Sequence, residues 1–163
     1  MMRQAYPPVA FSFAVWIAGA PAVDAGFSEV SGLTTEWEVA EIREGGVPTP
    51  HQVPSRAKVG PLVLSRGIML ASSPLFDWCT EVMESVLVKP IAPRDIAVAL
   101  LGPMGEPVIA WNVVRAWPIR WTIEPFKADT SEVAMEKIEF ACHAVMRARQ
   151  ADLPGLGLNR NAG

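Results

Sequence analysis

Glutamate, histidine and cysteine side chains are the groups of this sequence that could act in catalysis or hold a metal. Four glutamates stand close together in one stretch, at Glu36, Glu38, Glu41 and Glu44. Closely spaced carboxylates can act as general acid and base when one of them is desolvated. Glu36 and Glu38 alternate with Trp37 and Val39, so the run of glutamates favours a solvated face of a strand over a catalytic pair of carboxylates.

The two histidines and two cysteines do not form a recognisable site. His51 lies in a proline-rich stretch, which indicates a surface position. His143 follows Cys142, but neighbouring strand residues point to opposite faces, so a Cys–His dyad is not predicted. Cys79 and Cys142 lack C-x-x-C spacing, and two buried thiols are the preferred interpretation over a disulfide. We therefore expect no enzyme activity, no metal and no cofactor; a hydrolase that uses the glutamate run or His143 is kept as an alternative.

The charge and composition of the chain argue against nucleic-acid binding and against a membrane span. The net charge is −3 and the pI is about 5.4, and no block of Lys and Arg occurs, so sequence-specific nucleic-acid binding is not predicted. Half of the 163 residues are hydrophobic, which favours one folded domain, and 15 prolines with 12 glycines are typical of a β protein with many turns. Residues 9–18 are apolar, but their alternation favours a strand over a secretory signal, and they are too few to span a membrane.

The elements that must position any site are mostly strands. The segment 27–44 is extended and interrupted by Gly32, which indicates a bulge or a close backbone approach. Residues 45–54 contain too many glycines and prolines for regular structure, so we interpret them as the exposed tip of a long hairpin. Ser73 is placed to cap a helix that begins at Pro74 and covers residues 73–87. Its apolar stripe is formed by Leu75, Trp78, Cys79, Val82 and Val86.

The second half of the chain contains the most regular strand pattern. Apolar residues stand at every second position of one stretch: Ile109, Trp111, Val113, Trp117, Ile119, Trp121 and Ile123. This row predicts that the whole face is buried. Pro118 has the opposite parity and indicates an edge or a bulge. Residues 132–149 fit a helix by composition and a strand by alternation, and their own pattern leaves the two open.

Several motifs together resemble the contractile phage tail-tube protein family. They are G-F-S-E-V-S-G-L from Gly26, E-V-A-E-I-R-E-G-G from Glu38, V-G-P-L-V-L-S-R-G from Val59, L-F-D-W from Leu75 and W-N-V-V-R-A-W-P from Trp111. Their order covers about 130 residues. F-A-V-W-I at Phe13, H-Q-V-P at His51 and V-A-M-E-K-I-E-F-A at Val133 add to the series.

The resemblance implies a mainly β fold, an antiparallel β-barrel or sandwich with one flanking α-helix over about residues 73–87 and a long hairpin. It also favours a strand within residues 132–149. Residues 1–150 would be a single tail-tube domain and residues 151–163 a short flexible tail. The implied function is a structural inner-tube subunit whose hexameric rings stack into a hollow tube, inside a contractile sheath that drives the tube through a target envelope.

The implied partners are other copies of the chain, the sheath protein, the baseplate hub or spike, and a tail terminator or cap. A lumen cargo is possible in such a tube, and no membrane anchor is expected. The subunit would assemble in the bacterial cytoplasm and belong to a phage tail or to an extracellular or membrane-associated phage tail-like particle. Two alternatives remain: a paralogue that forms the first tube layer on the baseplate, and a monomeric β-barrel that binds an apolar small ligand.

Candidate residues fall into two groups. Tryptophan is enriched in interfaces, and the hairpin loop is the expected contact between rings. The candidate assembly residues are Trp16, Trp37, Gly45, Gly46, His51, Arg56 and Arg66. The candidate core and motif residues are Phe27, Gly32, Leu33, Gly67, Trp78, Trp111, Trp117 and Pro118.

Overall fold

The computed structural model describes residues 11–20, 22–68, 73–85, 88–124, 129 and 134–148. Within these ranges the chain forms nine strands and one helix. In chain order they are β1 (Ser12–Ile17), β2 (Asp24–Ser31), β3 (Thr35–Ile42), β4 (His51–Val59), β5 (Leu62–Gly67), α1 (Pro74–Glu84), β6 (Arg94–Leu101), β7 (Pro107–Ile123), β8 (Met135–Ala141) and β9 (Ala144–Arg147).

Seven of the strands form one antiparallel sheet that closes on itself. Its order is β6-β1-β2-β5-β8-β7-β9, and an additional pairing joins β6 to β7. Strands β8 and β9 follow each other along the same side of β7, since Trp117 pairs with Ala141 and Val114 pairs with Ala144. The result is a closed barrel, so the predicted mainly β, antiparallel fold with a flanking helix is confirmed.

The interior of the barrel is filled by apolar side chains. Val15, Val98 and Trp111 face one another across β1, β6 and β7 in one inward row, and Ile17, Ile96 and Val113 form the next. The buried cluster also includes Phe27, Leu62, Leu64, Ile138 and Phe140. Because the strands alternate inward and outward residues, each gives half of its side chains to this core.

Helix α1 is fixed by local sequence signals. Ser73 is its N-cap, its side chain accepts a hydrogen bond from the Phe76 backbone N–H, and Pro74 occupies the first turn. The apolar stripe of Leu75, Trp78, Cys79 and Val82 is buried against the barrel, and the Trp78 ring stacks on Phe140 at 5.8 Å. The predicted helix is confirmed with an end at Glu84; Val86 lies outside the described residues.

Strand β7 corrects one prediction. The apolar row at alternate positions does not form one buried face, because the strand is irregular in two places. Arg115 has a φ of 51°, and the pairing with β8 shifts between Pro118 and Arg120. After the first irregularity Ala116 and Pro118 are the buried residues, Trp117 is only half-buried, and Ile119 is 41% exposed. Trp121 and Ile123 are also exposed, at 37% and 49%. The burial predicted for the whole row is therefore wrong from Trp117 onward.

A two-stranded hairpin stands apart from the barrel. Strands β3 and β4 pair from Thr35↔Val59 to Ile42↔His51 and form their own sheet. We call residues 35–59 the arm and residues 43–50 the arm tip. The long hairpin is confirmed, but the loop is shorter than predicted, since residues 51–54 belong to β4. Pro54 is tolerated there because the pairing shifts between Trp37 and Val39.

Residues 132–149, whose composition also fitted a helix, contain the strands β8 and β9. The preference for strand is therefore confirmed. The first strand begins at Ser12, inside the predicted segment 9–18. The predicted flexible tail at 151–163 lies outside the described residues.

Candidate assembly surface

The arm exposes large apolar side chains on a paired, two-stranded sheet. Trp37 is 63% exposed and Val39 is 60% exposed, with Ile42 and Val47 nearly half exposed. The arm has no second layer among the described residues, so neither of its faces is covered. Apolar side chains of this size on one projecting element indicate a surface that becomes buried in an assembly.

The other side chains of the arm are charged and paired. Arg56 donates to both carboxylate oxygens of Glu38, at 2.8 and 3.1 Å, and Lys58 lies 3.9 Å from Glu36. The hydrogen bond from Arg56 lowers the pKa of Glu38, and the same bond raises the pKa of Arg56. These groups are solvent-exposed, so the pairs contribute little to the stability of the fold.

The base of the arm is held by close contacts with the barrel. Gly32 has a φ of +81°, and a Cβ at this position would overlap the carbonyl of Pro61. Thr35 Oγ1 donates to the Val145 carbonyl at 3.4 Å, and Cys142 Sγ donates to the Gly60 carbonyl at 3.7 Å. The two chain segments that lead into and out of the arm therefore touch where they leave the barrel, which fixes the direction of the arm.

A pocket of about 490 Å³ is formed by residues of β1, β6, β7 and β9 and of the turn after β1, and its lining includes the core residues Ile17, Ile96 and Val113. Trp16, Ala18, Asp95, Asn112 and Met146 are among its lining residues. The indole Nε1 of Trp16 is buried and has no hydrogen-bond partner within the described residues. The pocket lies near the base of the arm, because Met146 follows Val145, which accepts the hydrogen bond from Thr35.

Arg66 was predicted as an assembly residue, and this prediction is wrong. Its side chain is 2% exposed and donates to three oxygens: Glu136 Oε1 at 2.5 Å, Asp24 Oδ1 at 3.4 Å and Ser73 Oγ at 3.1 Å. Asp24 Oδ2 also accepts from the Leu75 backbone N–H at 2.9 Å. This buried network joins β2, β5 and β8 to the start of α1, so Arg66 supports the subunit itself and is not available to a partner.

The remaining candidate assembly residues lie on or beside these surfaces. Trp16 is half-buried in the pocket and Trp37 is exposed on the arm. Gly45 and Gly46 lie in the arm tip, where Gly46 has a φ of +92°. His51 and Arg56 are exposed on β4, opposite β3. Five of these positions are on the arm, and Trp16 is on the barrel.

The candidate core and motif residues divide by position. Phe27 and Trp78 are buried in the core, Leu33 and Trp111 pack against it, and Pro118 is buried on β7. Gly32 and Gly67 lie at the base of the arm and at the end of β5. Trp117 faces outward, as described above.

The candidate cysteines and histidines occupy different environments in the structure. Within the described ranges no cluster of three or more His, Cys, Asp or Glu side chains could hold a metal ion. His143 is exposed at the bend before β9, while Cys142 points to Gly60. Burial raises the pKa of the Cys79 thiol to about 12, with Arg66 opposing the shift, and burial also raises the pKa of Cys142. Both thiols are therefore protonated and poorly nucleophilic near neutral pH.

The described helix α1 is not long and apolar enough to cross a bilayer.

Sequence reasoning missed two features. The network of Asp24, Arg66, Ser73 and Glu136 joins residues as far as 70 positions apart, and isolated polar residues in separate strands give no signal of it. The pocket combines residues of four strands and one turn, which no local motif marks. One sequence signal did indicate the buried network: β5 ends in S-R-G, which places the charged Arg66 in an otherwise apolar strand.

Comparison with known proteins gives a consistent result. A family model described as the T4-like virus tail tube protein gp19 matches residues 9–146. No match is found among the curated proteins.

Chains of several solved structures are similar to this one, and three examples follow. The first comes from the cryo-EM structure of the PVC sheath–tube complex, an extracellular contractile injection system, in its extended state. That chain is 26% identical to this one, with a TM-score of 0.68. The match covers 89% of this chain and 93% of that one. A chain in the PVC sheath/tube terminator structure is 25% identical over 90% of this chain and 100% of that one, with a TM-score of 0.70. A chain in the baseplate of the anti-feeding prophage is 25% identical over 90% of this chain and 97% of that one, with a TM-score of 0.65.

Proposed function

This chain belongs to the T4-like virus tail tube protein gp19 family, and from that premise we propose that its copies form rings that stack into the hollow inner tube of a contractile particle. The observation that carries the proposal is the arm, which presents Trp37 and Val39 to solvent while the barrel beside it is complete. In the proposed assembly, a neighbouring copy of the chain covers the exposed side chains of Trp37 and Val39.

The distribution of strand edges supports such an assembly. The barrel closes through the β6–β7 pairing, whereas β3 and β4 form a sheet of two strands, and each has one edge with which no other described strand pairs. An unpaired edge next to apolar side chains binds another strand readily. A ring needs an interface that closes sideways, and a stack needs one that repeats along the axis, so both must join different surfaces of identical subunits. The arm and the barrel wall provide two such different surfaces.

Six copies per ring is the arrangement that we propose, with the tube lying inside a sheath. The similar PVC chains come from a sheath–tube complex and from a sheath/tube terminator structure, which supports a sheath protein and a terminator or cap as partners here. We propose a baseplate hub or spike as the partner at the other end. A structural role of this kind requires no catalysis, and assembly would occur in the bacterial cytoplasm before the particle is released.

A second candidate is a subunit that forms the first tube layer on the baseplate. It is favoured by the similar chain in the anti-feeding prophage baseplate. The apolar-ligand barrel has less support, because the barrel interior is occupied by core side chains such as Val98, Val113 and Phe140.

Native mass measurement beside negative-stain electron microscopy of the purified protein tests the proposal. We expect rings with a mass of roughly six subunits of 17.6 kDa each, and stacked hollow tubes at higher concentration. A monomer at every concentration, including after addition of baseplate and sheath proteins from the same gene neighbourhood, would exclude a bulk tube subunit. Rings that appear only on the baseplate would favour the first-layer candidate.

A further inference from the structure

We draw no further inference here: the strongest candidate, the exposed apolar side chains of Trp121 and Ile123 at the end of β7, where Phe76 of α1 packs edge-on against Trp121, carries nothing because nothing in the described part of the chain shows what covers them.

Discussion

Arg66 and Glu136 form a salt bridge at 2.5 Å directly across β5 and β8, although both side chains are almost fully buried. Two carboxylates share the guanidinium, because Asp24 lies 3.4 Å from its other side, and the Phe27 ring lies 5.0 Å from its charge. Ser73 and Asp24 link this charge cluster to the first backbone N–H groups of α1. The cluster therefore holds the helix to the wall through charges that are all paired.

Removing one partner of this cluster should be costly. Arg66→Met leaves Asp24 and Glu136 as buried carboxylates without their cation, and we expect it to lower the free energy of unfolding by about 3–5 kcal/mol. Arg56→Met is the matched control, since it breaks an exposed pair and should cost no more than about 1 kcal/mol. Urea denaturation followed by circular dichroism compares the two, and equal losses would show that the buried network does not hold the helix.

Gly32 should tolerate no side chain. Gly32→Ala combines a φ of +81° with an overlap on the Pro61 carbonyl, and we expect a loss of about 3 kcal/mol or more in unfolding free energy, or a displaced arm. Gly105→Ala shares the positive φ, with no atom within 4 Å of the added Cβ, and should cost roughly 1–2 kcal/mol. Thermal denaturation and assembly of both variants are compared; similar behaviour would remove the crossing at Pro61 as the reason for the glycine.

The two tryptophans Trp78 and Trp117 should differ in their contribution to stability. Trp78 is buried and stacked on Phe140, so Trp78→Ala should cost about 3–5 kcal/mol. Trp117 faces outward beyond the irregularity at Arg115, and Trp117→Ala should cost about 1–2 kcal/mol. Chemical denaturation of both variants checks this order, and a larger loss at Trp117 would contradict the strand register.

Trp37→Asp should separate folding from assembly. The side chain is 63% exposed in the subunit, so we expect a change in unfolding free energy within about 0.5 kcal/mol and no rings or tubes by electron microscopy. Met104→Asp, at a site that is 92% exposed in the turn between β6 and β7, is the control and should assemble normally. Normal tubes from the Trp37 variant would show that this face of the arm stays in solvent.

The buried Cys79 thiol should make the stability of the fold fall at alkaline pH. Burial raises its pKa from 9.0 to about 12, so the folded chain holds this proton over a range where the unfolded chain has lost it. The folded state then binds more protons than the unfolded state, and stability should fall as the pH rises above about 9. Thiol labelling at pH 8 should leave Cys79 unmodified until denaturant is added, and Cys79→Ala should flatten the alkaline loss. Fast labelling of Cys79 in the native protein would contradict its burial.

Local sequence signals predicted the elements with local causes. The Ser73-Pro74 start and the stripe through Trp78 defined α1, because a cap and a 3.6-residue period need no distant partner. Glycine and proline around Gly46 and Pro48 marked the hairpin turn for the same reason. The alternative between helix and strand at residues 132–149 was decided by family resemblance, because Ile138 and Phe140 lie on a strand that pairs with the distant strands β5 and β7.

Features that depend on distant partners were beyond this reasoning. Arg115 has a left-handed backbone conformation that the residue types around it do not predict. This conformation changes the side of β7 on which Trp117 and Ile119 lie. Arg66 looked like a surface charge because its partners Asp24 and Glu136 are 42 and 70 residues away. The pocket required four strands to be in register before Trp16 and Asn112 became neighbours.

The pairing pattern predicts different rates of formation for the arm and the barrel. The arm joins Ile42 to His51 across a short loop, whereas the barrel must join Val15 to Val98 and Arg66 to Glu136. Short hairpins form in about 1–10 μs, while sheets with distant pairings take milliseconds to seconds. We therefore expect the arm to pair transiently before the barrel has closed, and to become stable only once the barrel holds its base.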